Sequence, residues 1–117
     1  MDYSLTLAGK TFRAVANSST GVINTETTLT FVSEHDSSLL GVYSGGTIKS
    51  GQVMARRTGE FTLELLYHCI TVGGELKAGQ ASATFSYTNN HQLCMHLDWQ
   101  WLTGDRTKGQ SDWVLEV

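Results

Sequence analysis

The sequence predicts an all-β protein, an eight-stranded antiparallel up-and-down β-barrel, and three observations carry that prediction. Leu93-Cys-Met-His-Leu-Asp-Trp-Gln-Trp101 alternates strictly, with Leu93, Met95, Leu97, Trp99 and Trp101 on one face and Cys94, His96, Asp98 and Gln100 on the other, the two-residue period of a half-buried strand. The 117 residues include 12 Gly, no Pro and only 16% charged residues, which suits strands separated by glycine turns better than helices. The connections are mostly short, and none leaves room for a βαβ crossover. Two indoles two residues apart need a wide apolar surface opposite them, so the other strands are expected to curl around this one. Closing the meander also removes exposed strand edges, which favours the barrel over a two-sheet sandwich or an open OB-like barrel. A single domain over 1–117 suffices.

Taken in order, Gly9-Lys-Thr-Phe-Arg-Ala-Val-Ala16 gives a first strand, with Phe12, Ala14 and Ala16 on one side and Arg13 on the other. The polar stretch 17–24 leads to a second strand, Thr27–Val32, and Ser33–Ser38 forms a hydrophilic hairpin loop. Leu39–Ser44 is the third strand, and Gly45-Gly46 supplies a two-residue turn of positive φ before the fourth, Thr47–Arg56. Gly51 inside that strand marks a bulge or sharp bend. Phe61–Ile70 comes after Thr58-Gly-Glu60, with Phe61, Leu63, Leu65 and Tyr67 sharing a face. Leu76–Tyr87 is rich in Ala, Ser and Thr, small residues that leave space beside them. Thr88–Asn90 turns into the indole-bearing strand, and 104–108 leads to the last, Ser111–Glu116, which contains Trp113.

The formal charge of −3 and the scattered Lys and Arg argue against a nucleic-acid partner, which calls for a basic stripe. No apolar run approaches about 18 residues and the N-terminus lacks a basic, apolar leader, so no membrane partner and a cytoplasmic location are expected. Cys69 and Cys94 lie in mid-strand without a CxxC pair and read as buried free thiols. His68, His96 and Asp98 could approach one another as metal ligands, but the spacing is not diagnostic and solvent-facing or partner-facing polar residues explain it better. No Gly-x-Ser-x-Gly elbow supports a hydrolase. Arg106-Thr-Lys-Gly-Gln-Ser111 approaches a CoA-pyrophosphate turn, yet a strand rather than a helix comes next, so the amides of a helix N-terminus would be missing. Neither a cofactor nor a catalytic residue is assigned.

In the expected register Tyr67, Trp99 and Trp101 point inward beside the small-residue sixth strand, where a phenol and indole N–H groups could fix a polar ligand atom. Phe31 and Tyr43 complete the proposed lining. Arg13 would serve as an anion anchor if it turned inward; on the surface it would not. An interior void above roughly 300 Å³ would mark a ligand site, and a packed one a structural barrel.

Gly9-Lys-Thr-Phe-Arg13, Tyr43-Ser-Gly-Gly46 with Ile48 and Gly51, Tyr67-His68, Gly74 with Leu76 and Gly79, Trp99-Gln-Trp101 with Gly104-Asp105, and Lys108-Gly109 with Ser111 together resemble a family of small bacterial proteins often labelled "N-acetylglutamate synthase". The resemblance runs from Gly9 onward and implies a calycin-like (lipocalin-like) barrel. The Gly-Lys-x-aromatic opening is also similar to the Gly-x-Trp opening of lipocalins and avidins, with Phe12 where Trp is expected. Three functional readings are open: a barrel binding a small, partly apolar or anionic ligand; an enzyme acting on a small acidic metabolite, as the label implies; and a filled barrel whose outer face, with His68, His96 and Gln100, forms a homodimer.

Overall fold

The computed structural model describes residues 5–17, 26–104 and 106–116. Most of the polar stretch 17–24, and Asp105, therefore lie outside the described residues. Eight strands form in chain order: β1 Thr11–Asn17, β2 Thr28–His35, β3 Ser38–Gly45, β4 Ile48–Gly59, β5 Thr62–Thr71, β6 Leu76–Tyr87, β7 Leu93–Trp101 and β8 Lys108–Leu115. Each pairs antiparallel with its sequence neighbour, and β1 pairs antiparallel with β8 to close the barrel. The closed up-and-down barrel is thus the fold that the alternation predicts.

Alternation decides what enters the interior. On β7 the side chains of Leu93, Met95, Leu97, Trp99 and Trp101 are buried, whereas Asp98 is exposed and Cys94, His96 and Gln100 are half-buried on the outer wall. Leu39, Gly41 and Tyr43 of β3 turn inward together, leaving Leu40 and Val42 outside. Two glycines serve a purpose other than the expected bend. A Cβ on Gly51 would lie 2.4 Å from the Tyr43 ring, and one on Gly79 would lie 2.5 Å from the Tyr67 ring. These glycines are the cross-strand partners of those tyrosines. Each ring therefore lies flat over a bare stretch of neighbouring backbone, a fit that any side chain would abolish.

Several local expectations are corrected. A bulge between Ala14 and Ala16 in the β1–β8 ladder leaves Ala16 exposed, because an extra residue reverses the facing of the positions after it. Phe61 precedes β5, is exposed, and meets Tyr87 edge-on outside the barrel at 6.4 Å. Asp36 and Ser37, both with positive φ, close the β2–β3 hairpin in two residues, the handedness that matches strand twist. Gly45 ends β3, so the next turn is Gly46-Thr47. Cys69 is buried as expected; Cys94, also free, is only half-buried on the outer wall.

One end of the barrel is covered by the chain itself. Leu5 to Lys10 crosses it, with Gly9 N–H donating to the Phe31 carbonyl (2.7 Å) and Phe31 N–H donating to the Lys10 carbonyl (3.0 Å). Beneath it Leu5 and Leu7 are buried, with Phe12, Phe31 and Phe85 clustered at centroid separations of 5.7 to 6.5 Å. Arg57 points into the same end, its side chain 1% exposed. Its guanidinium grips Glu34 (Nε to Oε2, 2.6 Å; Nη2 to Oε1, 3.2 Å) and donates to the carbonyls of Glu60 (3.0 Å) and Leu5.

Candidate functional site: an aromatic cavity in the barrel

The other half of the interior holds a cavity of about 40 Å³, room for roughly three water-sized groups. Leu29, Val53, Leu65 and Leu97 supply its apolar wall; Tyr43, Tyr67, Trp99, Trp101 and Trp113 supply rings, and Ser111 a hydroxyl. The rings brace one another. Tyr67 stands edge-on to Tyr43 (6.1 Å, 86°) and to Trp101 (5.5 Å, 72°), and Trp101 is tilted against Trp99 (6.2 Å, 54°). Such edge contacts fix ring planes as well as burying area.

Polar satisfaction divides these rings. Trp113 Nε1 donates to Ser111 Oγ at 2.9 Å. The buried Trp99 Nε1 and Trp101 Nε1 have no hydrogen-bond partner, and the buried Tyr43 hydroxyl has only the weakly bonding Cys69 thiol beside it. A buried donor left unmet costs about 1–3 kcal/mol, so two such indoles beside one cavity are a sizeable debt for a small domain. Burial holds the Tyr43 phenol well above its ordinary range, with the adjacent Cys69 thiol adding to the rise, and burial does the same for Tyr67. Both phenols therefore remain neutral at physiological pH. The cavity wall itself is apolar, and the rings that form it carry only neutral donors.

The family model for avidin-like proteins matches residues 5–116. The chain belongs to the avidin-like family. No curated protein and no solved structure gives a significant match. The family is a calycin-type barrel, which agrees with the fold that both the alternation and the sequence resemblance implied. The N-acetylglutamate synthase label finds no support in this match.

Of the residues singled out in the sequence, this avidin-like barrel brings Tyr43, Tyr67, Trp99 and Trp101 to the cavity. Two others lie elsewhere. Arg13 is on the outer wall, bonded to Glu116, because it alternates with the inward Phe12 and Ala14; it anchors nothing inside. Phe31 is fully buried, but in the phenylalanine cluster under the covered end. Trp113 and Ser111 were legible as same-face residues of the last strand, yet their meeting with the β7 indoles depends on barrel closure.

Lys77 does not line the cavity but lies beside one of its rings. It shares the inward face of β6 with Gly79, Ala81, Ala83 and Phe85, and its ammonium lies 4.9 Å from the centre of the Trp101 ring. On the outer wall, His96 Nδ1 lies 2.6 Å from Asp112 Oδ1 and its Nε2 lies 3.7 Å from Asp98 Oδ1. His68 sits between Gln52 and Ala78 in the ladder, so it does not complete a cluster with His96. Among the described residues no three His, Cys, Asp or Glu side chains are placed to hold a metal. β8 occupies 108–115, so Gly109 sits in a strand where a CoA-binding turn would need a helix. Among the described residues no helix is long and apolar enough to cross a membrane.

Proposed function

We propose that this barrel binds a small ligand through a neutral head group that bears hydrogen-bond acceptors, such as a carbonyl or cyclic urea. The observation that carries the reading is that Trp99 and Trp101, neighbouring rings on one apolar cavity, each bury an indole N–H without a hydrogen-bond partner, with Tyr43 lining the same cavity. An acceptor oxygen seated there would relieve a cost that the folded chain otherwise bears. Neutral donors suit a dipolar head, whose acceptor oxygen they can meet without burying a net charge. Membership of the avidin-like family supports small-ligand binding in the barrel.

The cavity falls short of the roughly 300 Å³ of a complete ligand site. It takes the head alone, and the remainder of the ligand lies toward the end opposite Leu5–Lys10. Biotin, the ligand type associated with avidin-like barrels, and 2-imidazolidinone, its urea head alone, are the first probes. Titration of either is expected to shift the indole N–H resonances of Trp99 and Trp101, and Tyr43→Phe should weaken binding by about tenfold. Indole resonances unmoved by both probes at millimolar concentration would refute the reading.

A second reading, self-association, has its own observation. Leu40, Met54 and Leu66 are successive cross-strand neighbours on the outer wall, each at least half exposed. An apolar row of that kind is a characteristic of interfaces. Sedimentation of the wild type against Met54→Glu tests it: a dimer that dissociates supports it, and a wild-type monomer at all concentrations excludes it.

A further inference from the structure

We infer that an outer groove beside the Leu5–Lys10 cover is a second binding site, for a flat apolar molecule that carries one negative charge. It stands apart from the cavity reading, since groove and cavity share no lining residue. The groove measures about 680 Å³, within the roughly 300–1,000 Å³ of small-molecule sites, whereas the cavity inside the barrel measures about 40 Å³. It forms where the cover, the residue before β5, the β6–β7 turn and the end of β8 meet. Leu5 and Leu93, both buried, and the half-buried Leu115 give it an apolar lining. Phe61 and Tyr87 line it as well, yet are 40% and 54% exposed. Their rings stand edge-on, with centroids 6.4 Å apart and planes at 84°. That corner offers one ring face and one ring edge, the two surfaces against which a third ring packs. Aromatic rings left in solvent over an apolar lining are the contiguous kind of surface that interaction sites present.

The polar part of the lining has one sign. Lys10 and His91 supply its ionisable side chains, and no described carboxylate takes part. Of the acids next in sequence to lining residues, Glu60 accepts from Leu5 N–H at 2.7 Å and Glu116 pairs with Arg13. The Lys10 ammonium donates to the Thr6 carbonyl, which holds it at the groove and leaves two N–H groups for a ligand. The β6–β7 turn is closed without its side chains facing the groove. His91 N–H donates to the Thr88 carbonyl (2.9 Å), and the N–H groups of Asn90 and Gln92 donate to Thr88 Oγ1 (3.3 and 3.1 Å). The amides of Asn90 and Gln92 are thereby free to donate to an anion as well. A wider depression over β4 to β8 mixes Arg56 and Lys108 with Glu64 and Asp98, and so favours neither sign. Charge complementarity and the aromatic corner together define the occupant as an aryl or fused-ring monocarboxylate, its rings against Phe61 and Tyr87 and its carboxylate on Lys10.

The test uses the intact protein and two probes that share a ring system and differ in charge, 2-naphthoate and the neutral 2-naphthamide. Both are followed at the side-chain amide resonances of Asn90 and Gln92 and the backbone amide of His91, with the Trp99 and Trp101 indole N–H signals reporting on the interior. Naphthoate is expected to shift the groove signals and leave the indoles unmoved. It should bind about tenfold more tightly than naphthamide, as one charge-assisted contact allows, with the advantage shrinking in high salt. Lys10→Gln should bring naphthoate down to the level of naphthamide, and Lys10→Arg should retain most of the preference. Phe61→Ser, at an exposed ring that the barrel interior does not use, should weaken both probes, and it keeps the test decisive where Lys10→Gln loosens the cover. Groove signals unmoved by naphthoate at millimolar concentration overturn the inference, as do shifts confined to the indoles. Equal binding of the two probes, or undiminished binding by Phe61→Ser, overturns it too, and none of these outcomes bears on the head-group reading of the cavity.

Discussion

At the covered end of the barrel Arg57 is bonded to Glu34, Leu5 and Glu60, whereas in the opposite half Trp99 and Trp101 bury indole N–H groups that have no hydrogen-bond partner. The two regions share strands, burial and aromatic content, so the contrast isolates what the polar groups are for. A fully desolvated guanidinium persists only because every nearby acceptor has been turned toward it. That end is built for cohesion, and it fastens Leu5–Lys10 across the barrel. The unmet donors contribute nothing to stability and subtract from it, which is the usual cost of a surface kept ready for something else.

Breaking the first region should have the largest effect. Arg57→Ala strands the largely buried Glu34 carboxylate and releases the Leu5 carbonyl, and is expected to lower unfolding free energy by about 3–5 kcal/mol in a denaturant titration. Faster hydrogen exchange at Gly9 and Phe31 should accompany it. A loss below about 1 kcal/mol would mean that the network is not what fastens this end. In the second region, Gly79→Ala drives a methyl group against the Tyr67 ring and should cost about 1–3 kcal/mol, with a matching change in the near-ultraviolet circular dichroism of the cavity rings.

Tyr43→Phe sharpens the contrast because its sign is opposite. Removing a buried hydroxyl that has only the weakly bonding Cys69 thiol beside it should raise stability by about 1 kcal/mol while weakening head-group binding, and a destabilised variant would show that the hydroxyl has a stronger partner in solution. The smallest effect lies on the outer wall. The hydrogen bond to Asp112, aided by charge from Asp112 and Asp98 against a lesser desolvation, raises the His96 pKa above 6.5. Its contribution is therefore present in full below about pH 6.5 and is lost as pH rises through the raised value. The imidazole is more than a third exposed, so screening limits it to about 0.2–1 kcal/mol. His96→Gln should flatten that part of the stability–pH curve and leave cavity binding unchanged.

Much of this was readable from the residues. The period of two in β7 fixed which of Trp99, Gln100 and Trp101 face inward, and the same logic placed Tyr67 inside and His68 outside. Local pattern alone does not decide the facing of Tyr43, because Leu39, Leu40 and Val42 are all apolar and an inner and an outer hydrophobic row look alike; the Gly51 seat across the ladder decides it. The bulge that turns Ala16 outward carries no glycine to announce it. Lys77 was hidden for a related reason: a lysine beside a turn normally reads as solvated, and only the register with Gly79 and Ala81 shows that it points inward.

Strand count, alternation and antiparallel order are properties of consecutive residues, so the amino-acid order determined them without help. The grouping of Tyr43, Trp99, Trp101 and Trp113 around one cavity joins side chains from three strands that come together when β1 meets β8. Which buried polar atoms find partners, as Trp113 does and Trp99 does not, depends on separations of a few ångströms between those strands, and only the closed barrel sets them.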